Sequence, residues 1–226
     1  DRRQRQMCIR DRYNCRWVLE RAVRDYSLRI DTDSIKKKSK ILYQSLEKIR
    51  TCKTSAQLLG LEGEAAAVYF SVFDELILQQ KEDFTFQGRN RRPPLDNVNA
   101  MLSFAYSLLT GMCGSALESV GLDAYVGFFH TDRPGRISLA LDIMEELRSI
   151  MADRFVLTMI NKRIIKKSHF IQKESGAVVL TDEGRKLFLS AWQERKKELI
   201  THPFLDEKIE WGMIPYVQAM LLARSI

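Results

Sequence analysis

Residues 97–121 read NVNAMLSFAYSLLTGMCGSALESVG. The stretch is strongly apolar and rich in small residues, so it reads as a buried central helix, broken near Gly111 and Gly114. The loop before it, TFQGRNRRPPLDNVN at 85–99, is punctuated by Gly88, Pro93 and Pro94, and its PLD leads into the helix. Working upstream, residues 16–29 place Val18, Leu19, Ala22, Val23 and Tyr26 at helical spacing. DTDS at 31–34 offers N-caps for a second helix through Arg50, with Ile35, Ile41, Leu42, Leu46 and Ile49 as its apolar positions. A third helix follows in TSAQLLGLEGEAAAVYFSVFDELILQQ, where Gly60 and Gly63 predict a break or a tight contact. Downstream, a helix is predicted over Ile137 to Ile150 and another through Asn161. HFIQ and AVVL flank a Ser-Gly turn, which predicts one small β-hairpin over about 169–180. Thr181 then caps a helix through about Ile200, and a last helix starts near Pro215. The expected fold class is mainly α with that single hairpin.

A chain of 226 residues, 45% hydrophobic and 29% charged, can bury a sizeable core. No apolar run is read as approaching the roughly 18 residues of a membrane span, so no membrane partner is expected. Cys8, Cys15, Cys52 and Cys113 form no C-x-x-C pair, which speaks against a zinc site and for free thiols in a reducing cytoplasm. The net charge of +7 is uneven: residues 1–50 hold 15 Lys/Arg against 7 Asp/Glu, and the remainder 21 against 22. A basic region can meet nucleic-acid phosphates or be a solvated helical face, and charge alone does not choose. QMCIRDRYN resembles translated sequencing-adapter read-through, so residues 1–13 are set aside and the helical domain is assigned to 14–226.

The chemistry concentrates in FFHTDRPGRISLALDIMEEL at 128–147. On a helix, Asp142 lies three residues from Glu145 and four from Glu146, so the carboxylates share a face among Leu139, Ile143, Met144 and Leu147. A carboxylate in such a place must be paired, hydrogen-bonded or bound to a cation. Arg136, Arg148 or a lysine could pair with it. Alternatively, His130 in the preceding turn and Glu62 at the start of another apolar helix could join Glu145 around Mg²⁺ or Mn²⁺. Arg89, Arg91, Arg92 and Arg133 could hold phosphates.

Four blocks then carry a resemblance: LLGLEGEAAAVYF, RNRRPPLDNVNAMLSFAYSLL, GLDAYVGFFHTDRPGRISLALDIMEELR and THPFLDEKIEWGMIPYVQAMLLAR. In this order they resemble the CRISPR-associated endonuclease Cas1, closest to its type I-C branch, from about residue 16 to the end. The resemblance implies a helical catalytic domain whose family N-terminal β-domain is largely absent from this chain. It implies a metal site of Glu62, His130 and Glu145 holding Mg²⁺ or Mn²⁺, with Asp142 beside it and Glu64 outside it. It implies a DNA endonuclease and integrase that inserts spacers at CRISPR repeats in the prokaryotic cytoplasm. Arg89, Arg91, Arg92 and Arg133 are the expected DNA contacts. The implied partners are protospacer and repeat DNA, a Cas2 protein and a second copy forming a homodimer. A chain lacking the β-domain is expected to fold and bind metal, yet fail to dimerise and integrate. Two rival readings are a non-catalytic helical interaction domain and a metal-dependent phosphoesterase of small substrates.

Overall fold

The computed structural model describes residues 2–129, 135–202 and 205–225. Eight α-helices run in chain order among them: α1 (Arg2–Tyr26), α2 (Thr32–Thr51), α3 (Ser55–Phe70), α4 (Asn97–Ser119), α5 (Ser138–Leu147), α6 (Arg154–Asn161), α7 (Asp182–Lys196) and α8 (Ile214–Ala223). Two antiparallel hairpins complete them, β1 (Phe170–Gln172) with β2 (Val178–Leu180), and β3 (Leu199–Thr201) with β4 (Lys208–Glu210). The chain is mainly α, as its patterning predicts.

The helix starts follow from capping chemistry. Asp31 accepts from the amides of Asp33 and Ser34, Thr54 from Gln57, Asp96 from Asn99 and Thr181 from Gly184. Each cap satisfies an amide that the helix itself leaves without a partner. α4 is the centre. Val98, Met101, Leu102, Ala105, Leu109, Cys113 and Leu117 are all fully buried, and the helix packs on α5, α6, α8 and β2. By length and composition α4 could cross a membrane, which corrects the reading that no such run exists. Its packing among these neighbours and the 149–153 π turn accounts for its apolar character instead.

The glycine expectations are also corrected. α4 passes through Gly111 and Gly114 unbroken, and Gly114 sits where an added Cβ would meet Ala140 and Ile137 at 3.9 Å. The small residue is thus a helix-packing site. α3 passes through Gly60 and Gly63, and a Cβ at either meets nothing within 4 Å. α3 ends at Phe70 rather than running on to Gln80, because a 3₁₀ turn over Phe73–Leu76 buries Phe73 and Leu76. α5 stops at Leu147, and a π turn over Ser149–Asp153 joins it to α6. α1 begins at Arg2, so the segment set aside above is helical here, with Cys8, Asp11 and Arg12 buried.

The first hairpin lies where its turn predicts, in register Phe170↔Leu180. The amide of Val178 donates to the carbonyl of Pro94 at 2.8 Å, which ties this hairpin to the loop before α4. The second hairpin replaces the predicted end of α7: Leu199 pairs opposite Glu210 and Thr201 opposite Lys208. Its strands are three residues long with Leu199 exposed, too short for an alternation to show in the sequence. An aromatic layer fixes α7 to its neighbours, with Phe155 edge-on to Trp192 at 4.9 Å and Trp192 edge-on to Trp211 at 5.1 Å.

Two glycine substitutions of opposite sign follow. At Gly184 an added Cβ would lie 2.5 Å from the His169 carbonyl oxygen, a backbone atom that cannot yield. Gly184→Ala therefore lowers stability by about 1–3 kcal/mol. Gly60→Ala, in an open helical position, raises it by about 1 kcal/mol. Thermal unfolding followed by circular dichroism reads both.

Candidate active site

α3 buries Leu58, Ala65 and Tyr69. Glu62, four residues beyond Leu58, falls in the same stripe. α5 buries Leu139, Ile143, Met144 and Leu147 on its core side, and Glu145 points toward α3. Glu62 and Glu145 consequently line the same small cavity and the same groove, close enough for each carboxyl to act on the other. Burial first, then the bond to Glu145 and its charge, push the Glu62 pKa up to about 8, while Arg148 opposes the rise. This pair forms the wall between a small cavity of about 20 Å³, shared with Asp11, Asp142 and Glu146, and an open groove of about 510 Å³. Arg91, Arg136 and Arg148 line the groove on the other side of the pair.

The other acidic groups have different tasks. Asp142 is buried, and its Oδ2 accepts from the amides of Phe128 at 2.7 Å and Phe129 at 3.0 Å. It clamps the chain before residue 130 onto α5. Glu146 is held by other partners: its Oε1 accepts from Gln218 Nε2 of α8 at 2.6 Å and from Arg10 at 3.4 Å. Burial pushes Glu146 up to about 7, against the pull of Arg10. Helix periodicity leaves Glu145 and Glu146 equivalent as ligands; the structure brings Glu145 beside Glu62 and gives Glu146 to α8.

With Arg12, which pairs with Asp11 at 3.2 Å, Arg148 is one of two buried cations at the site. Its Nε lies 3.7 Å from Asp11 Oδ1. Burial pulls its pKa down, but the negative charges of Asp11 and Glu145 outweigh that and hold it above the ordinary value. Asp153, on the π turn, accepts from the Tyr106 hydroxyl at 2.7 Å, and burial raises it to about 6 despite that bond. Neither Asp11 nor Asp153 is singled out by the sequence. Asp153 carries no spacing signal, because its place depends on the π turn.

His130 and Arg133 lie outside the described residues. Among the described residues, no group of three or more His, Cys, Asp or Glu has the arrangement to hold a metal ion. Of the predicted arginines, Arg91 reaches the groove. Arg92 is exposed away from the groove lining. Arg89 is occupied internally: it donates to Asn99 Oδ1 at 2.7 Å and Ser103 Oγ at 3.0 Å and lies over the Tyr106 ring. Asn99, fully buried, also accepts from the Asn90 amide and donates to Gly88 O and Asp96 Oδ2. Arg89 and Asn99 thus hold the loop that carries Arg91.

The sequence matches the family described as "CRISPR associated protein Cas1" over residues 4–194. It is 51% identical over 217 residues to the CRISPR-associated endonuclease Cas1 2 of Rhodospirillum rubrum, covering 94% of this chain and 63% of the relative. It is 45% identical over 213 residues to the CRISPR-associated endonuclease Cas1 of Leptospira interrogans, covering 94% of this chain and 84% of the relative. The chain spans 63% and 62% of the length of the curated relatives from Rhodospirillum rubrum and Chlorobaculum tepidum. Its fold is similar to a casposase bound to integration product, with TM-score 0.81 and 26% identity over 98% of this chain and 59% of that one. A Cas1 protein from Thermotoga maritima gives TM-score 0.80 and 28% identity, covering 98% of this chain and 63% of that one. A chain of a Cas6-RT-Cas1–Cas2 complex gives 0.81 and 25%, covering 98% of this chain and 23% of that one.

The buried carboxyls make stability pH-dependent. Glu62 at about 8, Glu146 at about 7 and Asp153 at about 6 all hold protons more tightly folded than unfolded. The folded state therefore binds more protons than the unfolded one from the ordinary carboxylate range up to about 8, and stability falls as pH rises through that window. In metal-free buffer the unfolding midpoint should drop by roughly 5–10 °C between mildly acidic and mildly alkaline pH. Glu62→Gln should flatten the last, most alkaline part of the drop. A midpoint independent of pH in both proteins would contradict the assignment.

Proposed function

This chain belongs to the Cas1 family of CRISPR-associated proteins, and from that premise we propose that it supplies the phosphodiester-processing domain of a DNA endonuclease and integrase. The observation that carries the reading is the Glu62–Glu145 pair, set in the wall of a groove lined by Arg91, Arg136 and Arg148. Acid groups on one side and guanidinium groups on the other are what phosphoryl transfer requires of a protein: a place for a hard cation and a hold on phosphate oxygens.

The donor set fits a divalent ion. Two carboxyl groups pressed together retain a proton at neutral pH, and a dication with a preference for oxygen relieves the repulsion that keeps it there. Glu62 and Glu145 would hold Mg²⁺ or Mn²⁺, with His130 as the third ligand. The ion, when bound, would polarise the scissile phosphate and steady the leaving oxygen. The chain's own residues do the rest. Glu62 gives up its proton to become a ligand. Asp11 and Glu145 together hold Arg148 in its charged form beside the pair. Arg91 and Arg136 orient non-bridging oxygens from the groove wall. Asp142 fixes Phe128 and Phe129, the residues just before His130 in the chain.

The substrate in this reading is DNA, with a protospacer 3′-hydroxyl attacking a phosphodiester at a repeat edge, and water replacing it in plain cleavage. The casposase bound to integration product and the Cas6-RT-Cas1–Cas2 complex support DNA joining and a Cas2 partner. Homodimerisation and integration belong to the whole protein, of which the curated relatives are longer examples.

The test is Mn²⁺-dependent cleavage of branched DNA. Glu62→Ala and Glu145→Ala should each lose roughly 100-fold or more, and Arg91→Ala about tenfold in KM with less effect on kcat. Unchanged cleavage by Glu145→Ala, or turnover of mononucleotide esters with none on DNA, would contradict the proposal.

A further inference from the structure

Away from the acidic pair, a groove of about 330 Å³ runs between α6, α7 and the Trp211 turn. Its floor is apolar, with Met151, Phe155, Met159 and Trp211 buried there and Ile164 part-exposed. Its rim carries Arg154, Lys162 and Arg195. The two carboxylates on that rim are already engaged. Glu194 pairs with Lys197 at 2.8 Å, and Glu198 pairs with Arg195. Arg154 is placed differently. Its guanidinium lies 4.7 Å from the centre of the Trp17 ring, and Arg21 lies 5.3 Å from the same ring. Arg21 has its own partner, Asp25, at 3.0 Å. Among the described residues no carboxylate forms an ion pair with Arg154.

Burial, then the like charges of Arg21 and Arg195, pull the Arg154 pKa down to about 10. The indole face offsets part of that strain. A half-buried cation among like charges still gains from any anion that enters beside it. The floor decides what should carry the anion. A nucleic-acid strand brings phosphates flanked by sugars and water, which gain little from a buried aromatic floor. A protein segment brings a carboxylate flanked by apolar side chains, which matches a charged rim over an apolar base.

We propose that this groove docks an acidic, apolar segment of a partner protein, with Arg154 receiving its carboxylate and the floor of Phe155, Met159 and Trp211 receiving the adjacent side chain. None of these residues lines the Glu62–Glu145 groove, so the docking site stands apart from the chemistry proposed there.

The probe is a short fluorescein-labelled peptide of alternating Glu and Leu, followed by anisotropy on the full chain at low salt. A Gln–Leu peptide, a Glu–Ser peptide and a short labelled oligothymidylate serve as comparisons. The Glu–Leu peptide should bind more tightly than all three. Arg154→Met should weaken it roughly tenfold, and Ala191→Trp, which fills the groove, should do the same. Arg154→Lys, which keeps the charge, should retain most of the affinity and controls for folding. Arg91→Met, in the other groove, should leave peptide binding unchanged. Equal affinity of Arg154→Met and the unaltered chain would overturn the proposal. So would equal binding of the Gln–Leu peptide. Oligothymidylate that displaces the peptide and itself depends on Arg154 would overturn it in favour of a nucleic-acid surface.

Discussion

Two carboxyl groups in contact on neighbouring helices cannot both be charged without a cation, and the surroundings of Glu62 and Glu145 are organised around that constraint. Burial and mutual repulsion hold a proton on Glu62 up to about pH 8. Two buried guanidinium groups meet the cluster: Arg12 pairs with Asp11 at 3.2 Å and donates to the Leu61 carbonyl, and Arg148 lies 3.7 Å from Asp11 and is held protonated by Asp11 and Glu145. In a member of the Cas1 family, an acidic pair set in the wall of a groove lined by Arg91, Arg136 and Arg148 is the physical basis for reading the site as one that handles a hard cation and DNA phosphates.

The rest of the fold supplies rigidity to that contact. α4 packs along α5, and α5 carries Glu145 toward Glu62 and Glu146 toward α8. Glu146 braces α8 through Gln218, while Asp142 braces the chain before residue 130 through two backbone amides. One short helix thus sends three carboxylates to three places: the pair with Glu62, a brace to α8 and a clamp on the Phe128 and Phe129 amides. The Asn99 network does the same for the basic side, since Arg89 is consumed in holding the loop that presents Arg91. Side chains that look interchangeable in a linear motif are divided between scaffold and site.

Much of this was readable from residue pattern alone. The apolar run of α4, the caps at Asp31 and Thr181 and the Ser-Gly hairpin are local features, and local features survive into the fold. The convergence of Glu62 with residues of α5 is tertiary, and spacing could nominate it but not place it. Glycine misled in both directions: Gly60 and Gly63 sit in an uninterrupted helix with open space, and Gly114 serves packing rather than a break. The second hairpin escaped because three-residue strands with an exposed Leu199 carry no periodicity. Asp153 escaped because a π turn sets its direction, and helical phase does not forecast such a turn. Arg89 was grouped with Arg91 by sequence, and only the buried Asn99 separates their roles.

The most direct measurement is a carbon-detected NMR titration of the Glu62 carboxyl, run with and without saturating Mg²⁺. Competition between a proton and a metal ion for one carboxyl pair predicts a midpoint near 8 in metal-free protein, moving below the ordinary glutamate range when Mg²⁺ is present. A Glu62 midpoint that is ordinary without metal, or one that Mg²⁺ leaves in place, would contradict the account.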